Sequence, residues 1–152
     1  MFGLGKAPDK PLRLLAHEAE DVPPISALLQ DAALRAGDLA YDPKGRHFTV
    51  RMNRYCHESA AGVPLRAPSV LRISGVQKVQ TRGVDVNQAT QPLSLLDISI
   101  EPEGEAPSHV LTLRFAGATG RDVRLEVECV DILLLDLAAP RRAKSKPRHQ
   151  VE

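Results

Sequence analysis

Residues 110–129, VLTLRFAGATGRDVRLEVEC, are the stretch that decides the fold class. Apolar side chains alternate with polar ones on both of its arms, at Leu111, Leu113, Phe115, Val123, Leu125, Val127 and Cys129. This period of two is that of a β-strand with one buried face and one solvent face. Residues 117–122 contain two glycines and separate the arms by a tight connection. The stretch therefore predicts two antiparallel strands joined by a turn.

The same alternation continues along the chain toward the N-terminus. It predicts further strands at Leu12–Ala16, Leu34–Tyr41, His47–Cys56, Ser69–Arg82 and Leu93–Ile100. Residues 42–45, DPKG, place Pro and Gly where a type I turn favours them, so they predict a hairpin. Residues 58–68 and 83–92 lack any period and contain Gly and Pro, which indicates loops.

Two strands have features that bear on the core. The strand 69–82 changes phase at Ser74-Gly75, where a β-bulge would let it curl. On the strand 93–100 we expect Leu96, Ile98 and Ile100 to face inward, because they are separated by two positions each.

One segment has the period of a helix. Asp21 is a suitable N-cap, Pro23 and Pro24 suit a first turn, and apolar residues follow at helical spacing as far as about Ala33. Residues 130–137, VDILLLDL, fit a closing helix or a continued strand, and the pattern does not decide between them.

These elements predict an α+β fold. We expect a mainly antiparallel, strongly bent or closed sheet of about seven strands, with one helix in the N-terminal half and a second at the C-terminal end if residues 130–137 are helical. A barrel of the pleckstrin-homology-like type is a candidate by analogy of fold alone. The predicted organisation is a disordered N-terminus over residues 1–11, one domain over 12–139 and a basic disordered tail over 140–152.

The composition fits one folded domain with an uneven distribution of charge. The chain has 152 residues, 43% of them hydrophobic, and 20 basic against 19 acidic residues. Five of the basic residues and one of the acidic residues lie in 140–152, so the rest of the chain is mildly acidic. Intrinsic disorder of the whole chain and a membrane-spanning helix are excluded, because apolar residues are plentiful but occur only in short runs.

The N-terminal residues MFGLGKAPDKP lack the apolar region of a signal peptide, so we expect a cytoplasmic protein. In that reducing compartment Cys56 and Cys129 are expected to be free thiols. Both alternate in phase with apolar neighbours, which is typical of small core residues.

No motif of catalysis, of a cofactor or of a metal site occurs. His47 and His57 share a face of one strand but are roughly 33 Å apart, too far to bind one metal ion. There is no GxSxG or comparable nucleophile motif. We therefore expect no catalytic residue, cofactor or metal ligand, although small folds do host catalysis without readable motifs.

Four polar residues are candidates for binding: Asn53, Arg54, Arg82 and Asp85. Arg54 falls on the apolar side of its strand, so it either lies at a rim or pairs with a carboxylate. Arg82 and Asp85 lie where a long strand meets a loop, a frequent place for binding residues. The alternative for these two is an ion pair that orders the loop.

Three segments resemble a family of small bacterial proteins, found chiefly in alphaproteobacteria and described only as a domain of unknown function. They are residues 14–55, 93–102 and 123–137, with Leu29–Ala32, Gly37–Tyr41, Asn53-Arg54 and Glu128-Cys129 as the most similar positions. The resemblance implies a bacterial, cytoplasmic, single-domain protein. It implies no activity, ligand or catalytic residue.

Three functions are compatible with these observations. The leading hypothesis is a cytoplasmic module that binds a protein partner, since a well-patterned body lacks catalytic motifs. The second is a small enzyme or small-molecule-binding protein, which predicts a pocket of converging polar groups inside the bent sheet. The third is nucleic-acid binding assisted by the tail, with Arg51, Arg72, Lys78 and Arg82 on outward strand faces. Exposed apolar residues in 130–137 would permit a dimer, and the oligomeric state stays open.

Overall fold

Period-two patterning accounts for most of the secondary structure. The structure is a computed structural model that describes residues 10–57, 63–85, 87–117 and 120–142. Within these ranges there is one α-helix, α1 (Val22–Leu29), preceded by a 3-10 turn at Ala19–Asp21. The strands are β1 (Arg13–Ala16), β2 (Ala33–Arg35), β3 (Leu39–Asp42), β4 (His47–Tyr55), β5 (Leu65–Ser74), β6 (Val76–Arg82), β7 (Pro92–Pro102), β8 (His109–Phe115), β9 (Arg121–Val127), β10 (Ile132–Asp136) and β11 (Arg141–Arg142).

These strands form one antiparallel sheet in the order β1-β10-β5-β4-β2-β7-β8-β9-β6, with β3 paired to β4 and β11 to β5. Among the described residues no ladder joins β1 to β6, so the sheet is open. The prediction of about seven strands in a closed or barrel-like sheet is therefore wrong: the sheet has eleven strands and two free ends. Local periodicity identifies strands, but it does not show which strands become neighbours.

The larger number of strands has local causes. A 3-10 turn at Ala36–Asp38 divides the predicted strand 34–41 into β2 and β3. Gly75, with a φ of +71°, divides the predicted strand 69–82 into β5 and β6, close to the predicted break. The hairpin at 42–45 is confirmed, because β3 and β4 pair from Leu39 opposite Val50 to Asp42 opposite His47.

Helix α1 is shorter than predicted. It ends at Leu29 because Asp31 adopts a φ of +70° and donates its backbone N–H to the carbonyl of Leu95 in β7. The Ser26 hydroxyl accepts a hydrogen bond from the backbone N–H of Ile98 at 2.8 Å, which ties the helix to the same strand. A C-terminal helix is not formed in residues 130–137, where β10 lies between β1 and β5.

The core is a single cluster of buried side chains supplied by the helix and both ends of the sheet. The inward faces predicted for residues 110–127 are confirmed, since Leu111, Leu113, Phe115, Val123, Leu125 and Val127 are all buried. Leu96 is 41% exposed, contrary to prediction, because an irregularity in the pairing of β7 with β8 between Leu95 and Asp97 turns Leu95 inward instead. Cys56 is buried as expected, and Cys129 is partly exposed.

The two ends of the chain are described only in part. Arg141 and Arg142 form β11 beside Arg66 and Leu65 of β5. Disorder was predicted for residues 1–11 and 140–152; of these, residues 1–9 and 143–152 lie outside the described ranges, as do 58–62 of the predicted loop 58–68. No helix in the described part of the chain is long and apolar enough to cross a membrane.

Candidate binding face

One face of the sheet points away from the core and carries an unusual set of side chains. Strands β1, β10, β5 and β4 lie side by side, and register partners on them share a face. We call this surface the outer face; it comprises Arg13, Leu15, Thr49, Arg51, Asn53, Tyr55, Arg66, Pro68, Val70, Arg72, Leu133, Leu135 and Leu137. The register aligns Leu15 with Leu133 and Arg72, and Arg13 with Leu135 and Val70.

Leucines occupy the centre of the outer face. Leu15 is 49% exposed and Leu137 is 55% exposed, while Leu133 and Leu135 are half-buried between them. Leu137 continues beyond β10 and donates its N–H to the carbonyl of Pro68 at 2.7 Å. An antiparallel sheet with one solvent face normally alternates apolar and polar residues, and the run Ile132–Leu135 of β10 departs from that alternation.

Arginines surround these leucines. Arg13, Arg51 and Arg72 are exposed, and none of the outward-facing residues of the four strands is acidic. In the described ranges these three guanidinium groups have no ion pair with a carboxylate. Arg72 lies 2.8 Å from Nε2 of His47, which adds no negative charge. The outward-facing residues of these four strands therefore contribute positive charge and no negative charge.

Several basic side chains elsewhere on the sheet form ion pairs. The ion pairs are Arg46 with Glu128, Lys78 with Glu126, Arg82 with Asp122, Arg114 with Asp97 and Arg124 with Glu103. Nine of these ten residues lie on or next to β6, β7, β8 and β9, and Arg46 directly precedes β4. Among the described residues, four of these five ion pairs thus lie within or at the end of β6, β7, β8 and β9, and none of the five involves a residue of the outer face.

The corner of the outer face near the ends of β4 and β5 is rigidly built. Arg66 donates to the carbonyl oxygens of Asn53 at 2.8 Å and Asp31 at 3.2 Å, and its guanidinium lies 5.5 Å from the centre of the Tyr55 ring. His57 packs edge-on against the same ring and lies 2.6 Å from the Gln30 carbonyl oxygen. Arg141 is the register partner of Arg66, so the basic C-terminal segment starts at this corner.

Arg54 lies beneath the outer face and not on it. Its side chain is fully buried, and its Nε and a terminal nitrogen donate to the two carboxylate oxygens of Asp136 at 3.1 and 2.9 Å. The Ser69 hydroxyl and the Leu12 backbone N–H also donate to Asp136, at 2.6 and 2.8 Å. The pairing alternative predicted for Arg54 is the one found, and the four groups join β4, β5, β10 and the segment before β1.

These hydrogen bonds decide the ionisation of Asp136. Burial alone raises the pKa of its carboxyl, but the hydrogen bonds from Arg54, Ser69 and Leu12 outweigh that effect. The net result is a pKa below the ordinary value, so the carboxylate is charged at neutral pH.

The other two predicted binding residues lie at the opposite end of the sheet. Arg82 in β6 forms its ion pair with Asp122 of β9, not with Asp85. Asp85 instead orders its own loop, where its carboxylate accepts the N–H of Asn87 and its N–H donates to the Gln91 side chain. Of the four predicted residues, the structure places Asn53 on the outer face, Arg54 below it, and Arg82 and Asp85 away from both.

Sequence reasoning missed the leucines of the outer face, although a signal was present. The run Ile132–Leu135 is apolar at every position, whereas a strand with one solvent-exposed face normally has a polar residue at every second position. Among the described residues there is no group of three His, Cys, Asp or Glu side chains that could hold a metal ion.

Comparisons with known proteins place this architecture in a family. Neither the curated proteins nor the solved structures yield a match. A family model described as "Protein of unknown function (DUF2948)" matches residues 12–149, which include every strand described above. The chain therefore belongs to the DUF2948 family of proteins of unknown function.

Proposed function

We propose that the chain is a protein-binding module, and that the outer face docks a segment of a partner protein rich in Asp, Glu and apolar residues. The observation that carries this proposal is the combination of exposed leucines with arginines that lack carboxylate partners among the described residues. Protein interfaces are enriched in Arg and have a more apolar centre than the rest of the protein surface.

The charge of the outer face selects the kind of partner. Acidic side chains placed between apolar ones would reach Arg13, Arg51 and Arg72 while their apolar neighbours cover Leu15, Leu133 and Leu135. A second copy of the chain would present the same positive face, and like charges across an interface cost affinity. The complementarity therefore favours a different protein over self-association.

Nucleic acid suits this surface less well. Single-stranded nucleic acid gains much of its affinity from bases stacked on aromatic rings, and Tyr55 is the one aromatic residue of the outer face. Binding of nucleic acid would remove water from the leucines at the centre of the outer face without placing an apolar group against them. The basic tail, if it takes part, is expected to add charge and not specificity.

A cytoplasmic location completes the proposal. Neither Cys56 nor Cys129 forms a disulfide within the described part of the chain, which fits a reducing compartment. The Cys129 thiol is partly exposed to solvent, and in an oxidising compartment such a thiol would undergo disulfide exchange. Its exposure therefore also fits a reducing compartment.

Selection from a displayed library of random peptides against the full chain tests the proposal. We expect the enriched peptides to combine Asp or Glu with Leu, Ile, Val or Phe, and to bind more weakly as salt is raised. The double variant Arg51→Glu/Arg72→Glu should weaken binding at least about tenfold, since it replaces two attractions by two repulsions.

Arg124→Glu is the matched control, because it reverses an exposed arginine on β9. It should leave binding unchanged. Competition by single-stranded RNA and by vesicles containing anionic lipid separates the alternatives. Peptides without acidic residues, equal binding to the double variant, or full displacement by RNA or by vesicles would each contradict the proposal.

A further inference from the structure

A cavity lies on the inner side of the sheet, where β3 and β4 face β6 and β9. Its volume is about 260 Å³, and its lining consists of Leu39, Tyr41, Phe48, Val79, Thr81 and Val123. It is separate from the outer face, because Phe48 is buried on the side of β4 opposite to Thr49 and Arg51.

The lining determines what the cavity can hold. It contains no charged residue, and four of its six side chains are aliphatic or phenyl. The Tyr41 hydroxyl donates to the carbonyl of Val76 at 3.0 Å, so its oxygen can still accept a hydrogen bond. An apolar cavity of about 150 Å³ is large enough for benzene and stays free of water. This larger cavity fits one or two fused rings.

The strand pairing leaves an opening to the cavity. In the part of the chain that the structure describes, β3 pairs with β4 alone and β6 pairs with β9 alone. Tyr41 bridges the two edges through Val76, and Thr81 is exposed at the outer end of the lining. A ligand could enter between β3 and β6 without breaking a ladder of the sheet.

We propose that this cavity binds a small, neutral, mostly apolar molecule of the size of indole, with a hydrogen-bond donor that reaches the Tyr41 oxygen. The site is independent of the docking of a partner protein on the outer face. Its ligand class follows from the volume, from the uncharged lining and from the Tyr41 hydroxyl, whose oxygen can accept a hydrogen bond.

Indole itself is the probe, because the chain contains no Trp and its two Tyr do not absorb at the red edge of indole absorption. Titration of the full chain into indole should give a saturable blue shift of indole emission. Val79→Phe, which fills the cavity, should abolish the shift. Thr81→Phe should also abolish the shift, because the phenyl ring blocks the opening of the cavity. Since Thr81 is exposed, this substitution does not put folding at risk.

Gln80→Phe is the control, since Gln80 points away from the cavity on the same strand. It should bind indole like the wild type. The proposal is overturned if the wild type gives no saturable shift, if folded Val79→Phe and Thr81→Phe still bind indole, or if Gln80→Phe loses binding equally.

Discussion

At the scale of single residues, the buried pair of Arg54 and Asp136 explains why a charged side chain lies on the apolar side of β4. The carboxylate receives hydrogen bonds from three neighbours, so the cost of removing it from water is offset by direct contacts. The pair supports the outer face from beneath, because it fixes the spacing of β4, β5 and β10.

Removing one partner should be costly. Arg54→Met leaves the Asp136 carboxylate buried without its counter-ion, and we expect a loss of about 3–5 kcal/mol in the free energy of unfolding, measured by urea denaturation. Asp97→Asn is the control, because it breaks a similar Arg–Asp pair with Arg114 whose side chains are 38% and 55% exposed. It should cost no more than about 1 kcal/mol. Equal losses of unfolding free energy for the two substitutions would contradict the expectation that the buried pair matters more for stability than the exposed pair.

The pair should also make stability depend on pH. The pKa of folded Asp136 is lowered, so its contribution is fully present above the unfolded carboxyl pKa of about 4 and is lost as pH falls through the folded pKa. The difference in unfolding free energy between wild type and Asp136→Asn should be largest near neutral pH and shrink below about pH 4. A difference that stays constant from neutral to acidic pH would refute the lowered pKa.

At the scale of elements, Gly75 determines that β5 and β6 are two strands. Its φ of +71° reverses the backbone between them, and a Cβ at this position would lie 3.1 Å from Cγ of Glu128. Without this break the chain could not leave the β10-β5-β4 part of the sheet and pair with β9.

Gly75→Ala should therefore destabilise the protein by about 1–2 kcal/mol through its left-handed backbone, with an added cost from the contact with Glu128. Gly104→Ala isolates the backbone effect, because Gly104 has a φ of +65° and a Cβ there would meet nothing within 4 Å. Thermal unfolding of both variants measures the difference. A smaller loss for Gly75→Ala than for Gly104→Ala would contradict the role of the contact.

Most individual strands could be predicted from the sequence, because alternation is a local property. The pattern identified the inward residues of β8 and β9 and the hairpin at 42–45. It failed where one residue alters the phase, as at Leu96, and where a brief turn such as Ala36–Asp38 divides a strand. The open order of the sheet depends on contacts between distant segments, which no local period encodes.

The candidate site was predicted only in part for the same reason. Asn53 was predicted as a candidate binding residue, because it is a polar residue without an evident role in forming its strand. The leucines of β10 were recognised as apolar, but their exposure depends on β1 and β5 lying on either side and on nothing covering them among the described residues.

At the scale of the whole molecule, the sheet has two parts with different surfaces. The β7-β8-β9-β6 part carries four ion pairs between surface side chains, and the β1-β10-β5-β4 part carries exposed leucines among arginines. If these leucines serve binding, they should contribute little to folding.

Leu15→Lys and Leu137→Lys should therefore change the free energy of unfolding by no more than about 0.5 kcal/mol, as surface substitutions do. Leu134→Ala, on the inward face of the same strand β10, should cost about 2–5 kcal/mol. Chemical denaturation of the three variants makes the comparison. Losses of similar size at all three positions would mean that the outer leucines are packing residues.

The most direct test of the outer face maps where an acidic peptide binds. Backbone amide shifts of the isotope-labelled full chain are followed by NMR while a peptide enriched in the library selection is added. We predict that the shifts change along β1, β10, β5 and β4, and that Arg51→Glu/Arg72→Glu removes these changes. Shift changes confined to β6, β7, β8 and β9, or changes that persist in the double variant, would contradict the account.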